Sequence, residues 1–298
     1  MKSVTVVMST YNGSKYLREQ IESVVSQKNV DVSLFIRDDG STDDTQSMLE
    51  EYRKNQKIEW YCGRNLGAAY SFFDALTKAP NADYYAFCDQ DDIWDGDKLS
   101  VAVSQLEKQN EEGYAIYCCG SRLVDKDLNF IKVHKLDTKR SLSTRLILAY
   151  VSGNTIVINH QLKEKIIQYK PLNMVMHDAW CMKVAICLGA DVIIDPEPHI
   201  SYRQHEGNVV GMETSFKDSV RKFNGLIKEK DIYKQLIEIK NVYANEMTPE
   251  FMTTLQLIEN STTSIRDRIR LAFKRDINFY NVFLNLAFRI KVLTKNFA

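Results

Sequence analysis

Between Asp83 and Asp97 the sequence places six aspartates, Asp83, Asp89, Asp91, Asp92, Asp95 and Asp97, with no lysine or arginine among them. Carboxylates this crowded repel one another and raise each other's pKa. A bound divalent cation relieves the repulsion, and hard oxygen ligands of this kind suit Mg2+ or Mn2+. A solvated acidic loop has the same composition, but this run closes an apolar segment, Tyr84–Cys88, and is flanked by Trp94. A second acidic pair, Asp38-Asp39, precedes Gly40-Ser41. An acid there can accept from a ribose hydroxyl or a base N–H, although Asp-Gly by itself is ordinary turn chemistry. His177-Asp178 opens a helical pattern, where an aspartate commonly caps the helix. Arg203 and His205 share the polar run Tyr202-Arg203-Gln204-His205-Glu206-Gly207-Asn208, and a guanidinium in such a place suits a phosphate.

The elements that must position these groups can be read from periodicity. Val4–Met8, Val32–Ile36, Ile58–Cys62 and Tyr84–Cys88 are short apolar runs of strand character. Between them Leu17, Ile21, Val24 and Val25, then Thr45, Met48, Leu49 and Tyr52, then Ala69, Phe72, Phe73 and Leu76 recur at helical spacing, with Ser14 placed to cap the first helix. A fourth helix is expected from Leu99, Ala102, Val103 and Leu106. Strands alternating with helices predict a largely parallel sheet covered on both faces. Ligands in such sheets bind at the carboxyl ends of the strands, so the polar runs 9–12, 38–43 and 89–92 are expected to converge on one edge. Further on, 114–119, 154–158 and 192–194 read as strands, the last stopping before Pro196 and Pro198. Residues 162–169 and 179–188 read as helices, and after Gly211 the pattern is helical to the end.

The chain has 298 residues with equal Lys+Arg and Asp+Glu, 39 of each, which excludes general nucleic-acid binding. The balance hides an asymmetry, because residues 212–298 carry 15 basic and 10 acidic side chains. Six cysteines form no CxxC pair and read as small buried hydrophobes in a reducing compartment. The chain enters a strand pattern at once, without a charged leader, and no run reaches the ~18 apolar residues of a spanning helix. A cytoplasmic protein is expected. The sequence lacks GxGxxG, GxxxxGK[ST], HExxH and GxSxG, which removes dehydrogenase, P-loop, zinc-protease and hydrolase readings.

Val4–Asn12 (VTVVMSTYN), Asp38–Ser41 (DDGS), Arg64–Gly67 (RNLG), Asp89–Asp92 (DQDD) and His177-Asp178 follow one another in an order and spacing that resembles family-2 glycosyltransferases of the GT-A fold. The resemblance covers about residues 3–211. It implies a catalytic domain over 1–211, with a mixed, mainly parallel Rossmann-like sheet covered by helices, and a helical extension over 212–298. The activity it implies is an inverting, metal-dependent transfer from a nucleoside diphosphate sugar to a saccharide or lipid-linked saccharide acceptor. By the same resemblance Thr10, Tyr11, Asn12, Asp39, Asn65, Asp89 and Arg203 would hold the donor. Asp91 and His205 would hold Mn2+ or Mg2+, and Asp178 would be the catalytic base. Trp94, His177 and Trp180 would face the acceptor. DQDDIW, MHD and YRQHEGN resemble bacterial polysaccharide rhamnosyltransferases, so dTDP-L-rhamnose is the favoured donor. The alternatives are a UDP-hexose transferase of the same fold (glucosyl, galactosyl or N-acetylhexosaminyl) and a non-catalytic sugar-binding relative. A sugar-nucleotide pyrophosphorylase is disfavoured, since its Gly-rich, Arg-containing N-terminal loop is missing. The helix start at Asp178 is expected to stabilise the anion and keep its pKa low.

Residues 264–298 carry 8 basic and 2 acidic side chains. Asp267, Arg270, Lys274, Asn278, Asn281, Asn285 and Arg289 form a narrow polar stripe in an otherwise apolar helical pattern. Two readings fit: peripheral association with anionic lipid at the inner face of the membrane, or packing on the catalytic domain or a partner.

Overall fold

Val4, Val6 and Met8 alternate with Thr5 and Val7 along β1 (Ser3–Thr10), and all five are buried, so this strand has apolar cover on both faces. The computed structural model that shows this describes residues 1–55, 58–110, 112–206 and 231–297. The expected boundary at 211/212 lies outside the described residues. On one face Val4, Val6 and Met8 pack with Leu17 and Ile21 of α1 (Ser14–Val25) and Leu99 of α4 (Lys98–Leu106). On the other, Val7 packs with Phe72 and Leu76 of α3 (Ala68–Lys78) and Trp180 of α7 (His177–Cys187). Each such Leu or Ile side chain taken fully out of water contributes about 1.5–3 kcal/mol.

β2 (Asp31–Asp38) and β4 (Tyr84–Cys88) flank β1 in parallel, and β3 (Glu59–Cys62) extends the sheet beyond β2. The expected parallel half is therefore present, with α2 (Thr45–Lys54) between β2 and β3. Beyond β4 the direction changes. β8 (Ile156–Asn159) runs antiparallel to both β4 and β6 (Ala115–Val124), and β9 (Asp191–Arg203) runs parallel to β6. The order is β3-β2-β1-β4-β8-β6-β9-β5, where β5 (Ile93–Trp94) pairs β9 and β7 (Phe130–His134) pairs β6 off this path. The reversal at β8 has a consequence for the site. Ala86 faces Val157, so the turn Gly153–Thr155 that precedes β8 arrives at the same end as the carboxyl end of β4. The carboxyl ends of β6 and β9 arrive there too.

Several expected elements differ. Ser14 is the first helical residue of α1, with no side-chain cap; the carboxylate of Asp43 accepts its N–H instead at 3.1 Å. Residues 153–155 form a 3-10 turn rather than strand. β9 runs through Pro196 and Pro198 instead of stopping before them. It can do so because the β6–β9 register shifts at Cys119–Gly120, placing the prolines at an irregularity where no ladder donor is required. Gly120 is needed there, since a Cβ would fall 2.6 Å from the Pro196 carbonyl oxygen. β5, β7 and α5 (Leu142–Ile147) were not legible in the periodicity.

After residue 230 the chain forms α8 (Asp231–Val242), α9 (Pro249–Asn260), α10 (Ile265–Ala272) and α11 (Val282–Leu293). Leu236, Ile239, Leu255, Leu271, Phe279 and Phe288 bury themselves in the same core as Trp180 and Leu162 of α6 (His160–Ile167). The connector before α11 is also hydrogen-bonded to α5: Ser143 Oγ donates to Asp276 at 2.6 Å, and Asn278 N–H donates to Thr144 Oγ1 at 2.8 Å. Because the terminal helices share that core, Phe279→Ala is expected to cost about 3–5 kcal/mol within one cooperative transition. A denaturant melt followed by both tryptophan fluorescence and circular dichroism checks this; an early, separate transition of the terminal helices would contradict it.

Candidate active site

Of the residues expected to hold the donor, Thr10, Tyr11, Asn12, Asp39 and Asn65 lie at the ends of β1, β2 and β3 or on the loops that follow them. Tyr11 and Asn12 are exposed, Tyr11 at 49%, and their backbones are tied down from neighbouring loops. Gln90 Oε1 accepts the Tyr11 N–H at 2.9 Å, and Ser41 Oγ accepts that of Asn12 at 2.9 Å. Gly13 is required beneath Gln90, since a Cβ would meet its Oε1 at 2.2 Å. Thr10 is buried and donates to Asp38 at 3.0 Å. Asp39 accepts the N–H groups of Leu66 and Gly67, at 2.8 and 2.9 Å, and pairs with the guanidinium of Arg37. Asn65 lies exposed on that loop, accepting the Gly67 N–H at 3.2 Å.

The acidic run at the end of β4 meets the end of β9. His205 Nε2 lies 2.8 Å from Asp91 Oδ2 and its ring packs at a tilt against Tyr16, with centroids 4.9 Å apart. Asp92 turns inward, is fully buried, and accepts from Asn154 and from the Arg203 N–H at 3.0 Å. Burial pushes the Asp89 carboxyl up to about 8, and the nearby charges of Asp91 and Asp178 push the same way. Asp91 thus lies against His205, and Asp89 is near enough to Asp91 and Asp178 to be acted on by their charges. Carboxylates with one imidazole form a donor set that fits Mn2+ or Mg2+. A second acid–histidine group, Asp95, Asp97 and His199, also clusters, but Asp95 is already neutralised by Arg122.

Asp178 stands in the first turn of α7, behind Met176 at the N-cap. Its carboxylate accepts the Ala179 N–H at 2.5 Å and also that of Gly153. The expected low pKa is not found. Burial outweighs these hydrogen bonds and the helix terminus, and pushes the group up to about 6. That value lies closer to the working range of a general base.

Three expected acceptor-facing residues lie inside the packing. Trp180 is fully buried in the core, and Trp94 is buried with Lys98 Nζ 3.2 Å above its ring. His177 is buried against Phe72, with ring centroids 4.0 Å apart, and Phe87 at 5.0 Å; burial pushes it down to about 3, so it is neutral. A Cβ on Gly153 would lie 2.3 Å from His177 Nε2, so the ring seats the turn that donates to Asp178. Arg203 is likewise not aimed at a phosphate. Its guanidinium donates to Asp91 O at 2.9 Å, Lys126 O at 2.8 Å and Glu19 at 2.5 Å, and lies 4.4 Å from the centre of the Tyr16 ring. It braces the acidic run against β9. Sequence reasoning missed Gly153, Asn154 and Arg37. Only Arg37 left a trace, as a lone cation at the end of an apolar strand.

A mixed α/β sheet of this order, covered by helices on both faces, has the GT-A architecture. The chain belongs to glycosyl transferase family 2, whose family model matches residues 5–181. It is 32% identical over 260 residues to the dTDP-rhamnosyl transferase RfbG of Shigella flexneri, covering 80% of this chain and 85% of that protein. It is 30% identical over 135 residues to the GalNAc(5)-diNAcBac-PP-undecaprenol beta-1,3-glucosyltransferase of Campylobacter jejuni, covering 44% and 42%. The fold is similar to that of S. aureus TarS in complex with UDP-GlcNAc, with TM-score 0.61, 16% identity, and coverage of 100% and 90%. It is also similar to the mannosyltransferase PcManGT from Pyrobaculum calidifontis in complex with GDP-Man and Mn2+, with TM-score 0.55 and coverage of 98% and 86%.

The raised Asp178 carboxyl gives a pH expectation. A group near 6 when folded and near 4 when unfolded binds its proton more tightly in the folded chain. It therefore adds stability as pH falls from about 6 to about 4, and its half-buried anion weighs against folding at neutral pH. Asp178→Asn is expected to keep or raise Tm at pH 7.5 while lowering turnover by about 10²–10⁴-fold. In the native enzyme kcat/KM should rise through an acid limb near pH 6. Near-native turnover with a lowered Tm would leave Asp178 as a structural residue only.

Proposed function

We propose that this protein is an inverting glycosyltransferase that moves L-rhamnose from dTDP-L-rhamnose to a saccharide or lipid-linked saccharide during cell-surface polysaccharide synthesis. The observation that carries the reading is the convergence of Asp89, Asp91 and His205 with Asp178, whose pKa is about 6. The rhamnose donor is supported by the likeness to RfbG over most of both chains. A UDP-hexose donor is the second reading, to which the glucosyltransferase relative lends a hexose and TarS, bound to UDP-GlcNAc, a uridine nucleotide.

Asp178 takes the proton of the acceptor hydroxyl as that oxygen attacks the anomeric carbon. The bond to the leaving diphosphate breaks in the same displacement, so the carbon inverts and no sugar is attached to the enzyme. Gly153 and Ala179 hold the carboxylate in place, and His177 holds Gly153. Tyr11, Asn12, Asp39 and Asn65 line the nucleoside end, with Asp89 toward the diphosphate. Asp91 and His205 would hold the divalent cation, which supplies charge stabilisation to the leaving diphosphate when bound. Arg203 keeps Asp91 presented. Transfer from dTDP-L-rhamnose is expected to exceed that from UDP-glucose, UDP-galactose or UDP-N-acetylglucosamine, to stop in excess EDTA, and to return with Mn2+ or Mg2+. Asp91→Ala should abolish transfer with the fold intact. Full activity in EDTA would remove the cation from the reading, and preference for a UDP-hexose would replace the donor.

The terminal helices bear on the acceptor. One side of α10 and α11 packs inward through Leu271, Leu284, Phe288 and Val292, while Ile269, Phe273, Val282, Phe283, Leu286 and Ile290 are exposed, Val282 at 80% and Phe283 at 63%. One face of these helices suits the packing reading and the other the lipid reading, while Asn278 and Asn281 of the expected polar stripe fall in the connector between α10 and α11. No helix among the described residues is long and apolar enough to cross a membrane. An exposed apolar patch marks an interaction surface, and the excess of basic side chains here matches an anionic bilayer. The protein docks by this face at the inner leaflet, where a lipid-linked acceptor resides. Full-length protein should sediment with vesicles containing anionic phosphatidylglycerol but not with neutral ones, and salt should weaken binding. Phe283→Glu with Ile290→Glu should abolish sedimentation and leave donor hydrolysis unchanged. Absence of binding at low salt, or self-association through this face, would overturn the docking.

A further inference from the structure

The guanidinium of Arg37 is the most connected buried cation on the donor side, and the transfer step itself does not use it. Arg37 is the penultimate residue of β2, is 2% exposed, and reaches four partners from three parts of the chain. Nη1 donates to Asp39 and to Ser71 Oγ at 2.9 Å, Nε to Asp74 at 2.9 Å, and Nη2 to the Arg64 carbonyl at 2.8 Å. Ser71 in turn lies 2.6 Å from Ser9 Oγ, and Tyr61 donates to Asp74 at 2.7 Å. Gly63 makes room for the fork, because a Cβ there would sit 2.5 Å from Nη2. This one side chain therefore fixes the ends of β1 and β2, the loop 63–67 and α3 relative to one another.

The consequence falls on Asp39. Its Oδ1 accepts from Arg37 and from Leu66 N–H, and its Oδ2 accepts from Gly67 N–H. A carboxylate has about four acceptor positions and, when ionised, no donor. The three bonds hold its orientation and leave one acceptor position on Oδ2. We propose that Arg37 is a positioning residue for nucleobase selection. It presents Asp39 as an acceptor-only group that takes a base with a ring N–H beside a carbonyl, as in thymine, uracil or guanine, and refuses cytosine, whose ring nitrogen is itself an acceptor. The proposal rests on the reading that Asp39 meets the donor base.

Calorimetric titration of the full-length protein with TDP, UDP, GDP and CDP in Mg2+ tests it. CDP should bind at least about tenfold more weakly than TDP, since a site built around one hydrogen bond rejects the partner that lacks it; the order among TDP, UDP and GDP tells imide from lactam. Arg37→Lys keeps the charge but not the fork. It should weaken TDP about tenfold or more, narrow the gap to CDP, and raise donor KM with little change in kcat. Asp74→Asn, at the half-buried outer side of the network, should act in the same direction with less effect on folding. Combining Arg37→Lys with Asp39→Ala should be no worse than Asp39→Ala alone, because both act through one contact. A lower Tm with the TDP:CDP ratio unchanged would make Arg37 structural and overturn the proposal. Unchanged affinities in Asp39→Ala would instead overturn the underlying base contact, and the proposal with it.

Discussion

Four carboxyl groups, Asp89, Asp91, Asp92 and Asp178, are held at one end of the sheet, and the cost of removing them from water, with mutual repulsion added at Asp89 and Asp92, is the constraint that the surrounding structure answers. Each is treated differently. Asp92 is turned inward onto Asn154 and the Arg203 N–H. Asp91 meets His205. Asp89 is pushed up to about 8 and Asp178 to about 6, chiefly by burial. Groups of the same kind, placed in environments that separate their pKa values, are how a protein assigns different tasks to similar side chains.

Bringing Asp178 to this end depends on the change of strand direction beyond β4. A wholly parallel sheet would send the chain before β8 to the opposite edge. Running β8 antiparallel returns Gly153 to the ligand end, where its N–H meets Asp178. The same turn follows Tyr150, which packs beside Phe279 with ring centroids 6.5 Å apart. The terminal helices therefore stand close in structure to the turn that supports Asp178. Under the proposed docking, the membrane-facing surface and the acceptor side of the site belong to one packed unit.

The first half of the sheet was legible because β1 and β4 are almost continuously buried runs of apolar residues, because β2 alternates apolar side chains, and because the helices between them keep helical periodicity. The carboxylates were legible because five aspartates, from Asp89 to Asp97, follow directly after an apolar strand with no lysine or arginine among them, whereas Asp83 lies at the other end of that strand, bonded to Ser3. What could not be read depended on tertiary context. Pro196 and Pro198 mark a strand end in any local reading, and only the register shift against Gly120 lets β9 continue. Trp94 and Trp180 each come two residues after an aspartate and invite a role on the sugar, yet burial claims both. Arg203 resembles a phosphate ligand in sequence, but Glu19, from a helix far away in the chain, and two carbonyls occupy it. Helix position alone assigns Asp178 a low pKa; the desolvation that reverses this is invisible until the neighbours are known.

The central claim is a single displacement in which Asp178 serves as base and no sugar is ever bound covalently to the protein. The most direct test is the anomeric configuration of the first-formed glycosidic bond, read by proton NMR from the one-bond carbon–hydrogen coupling of a product made with isotopically labelled donor. The expected result is complete inversion relative to the donor, so that a β-linked sugar nucleotide yields an α-linked product. Retention of the donor's configuration would require a second displacement or a different nucleophile, and would contradict the single-displacement mechanism.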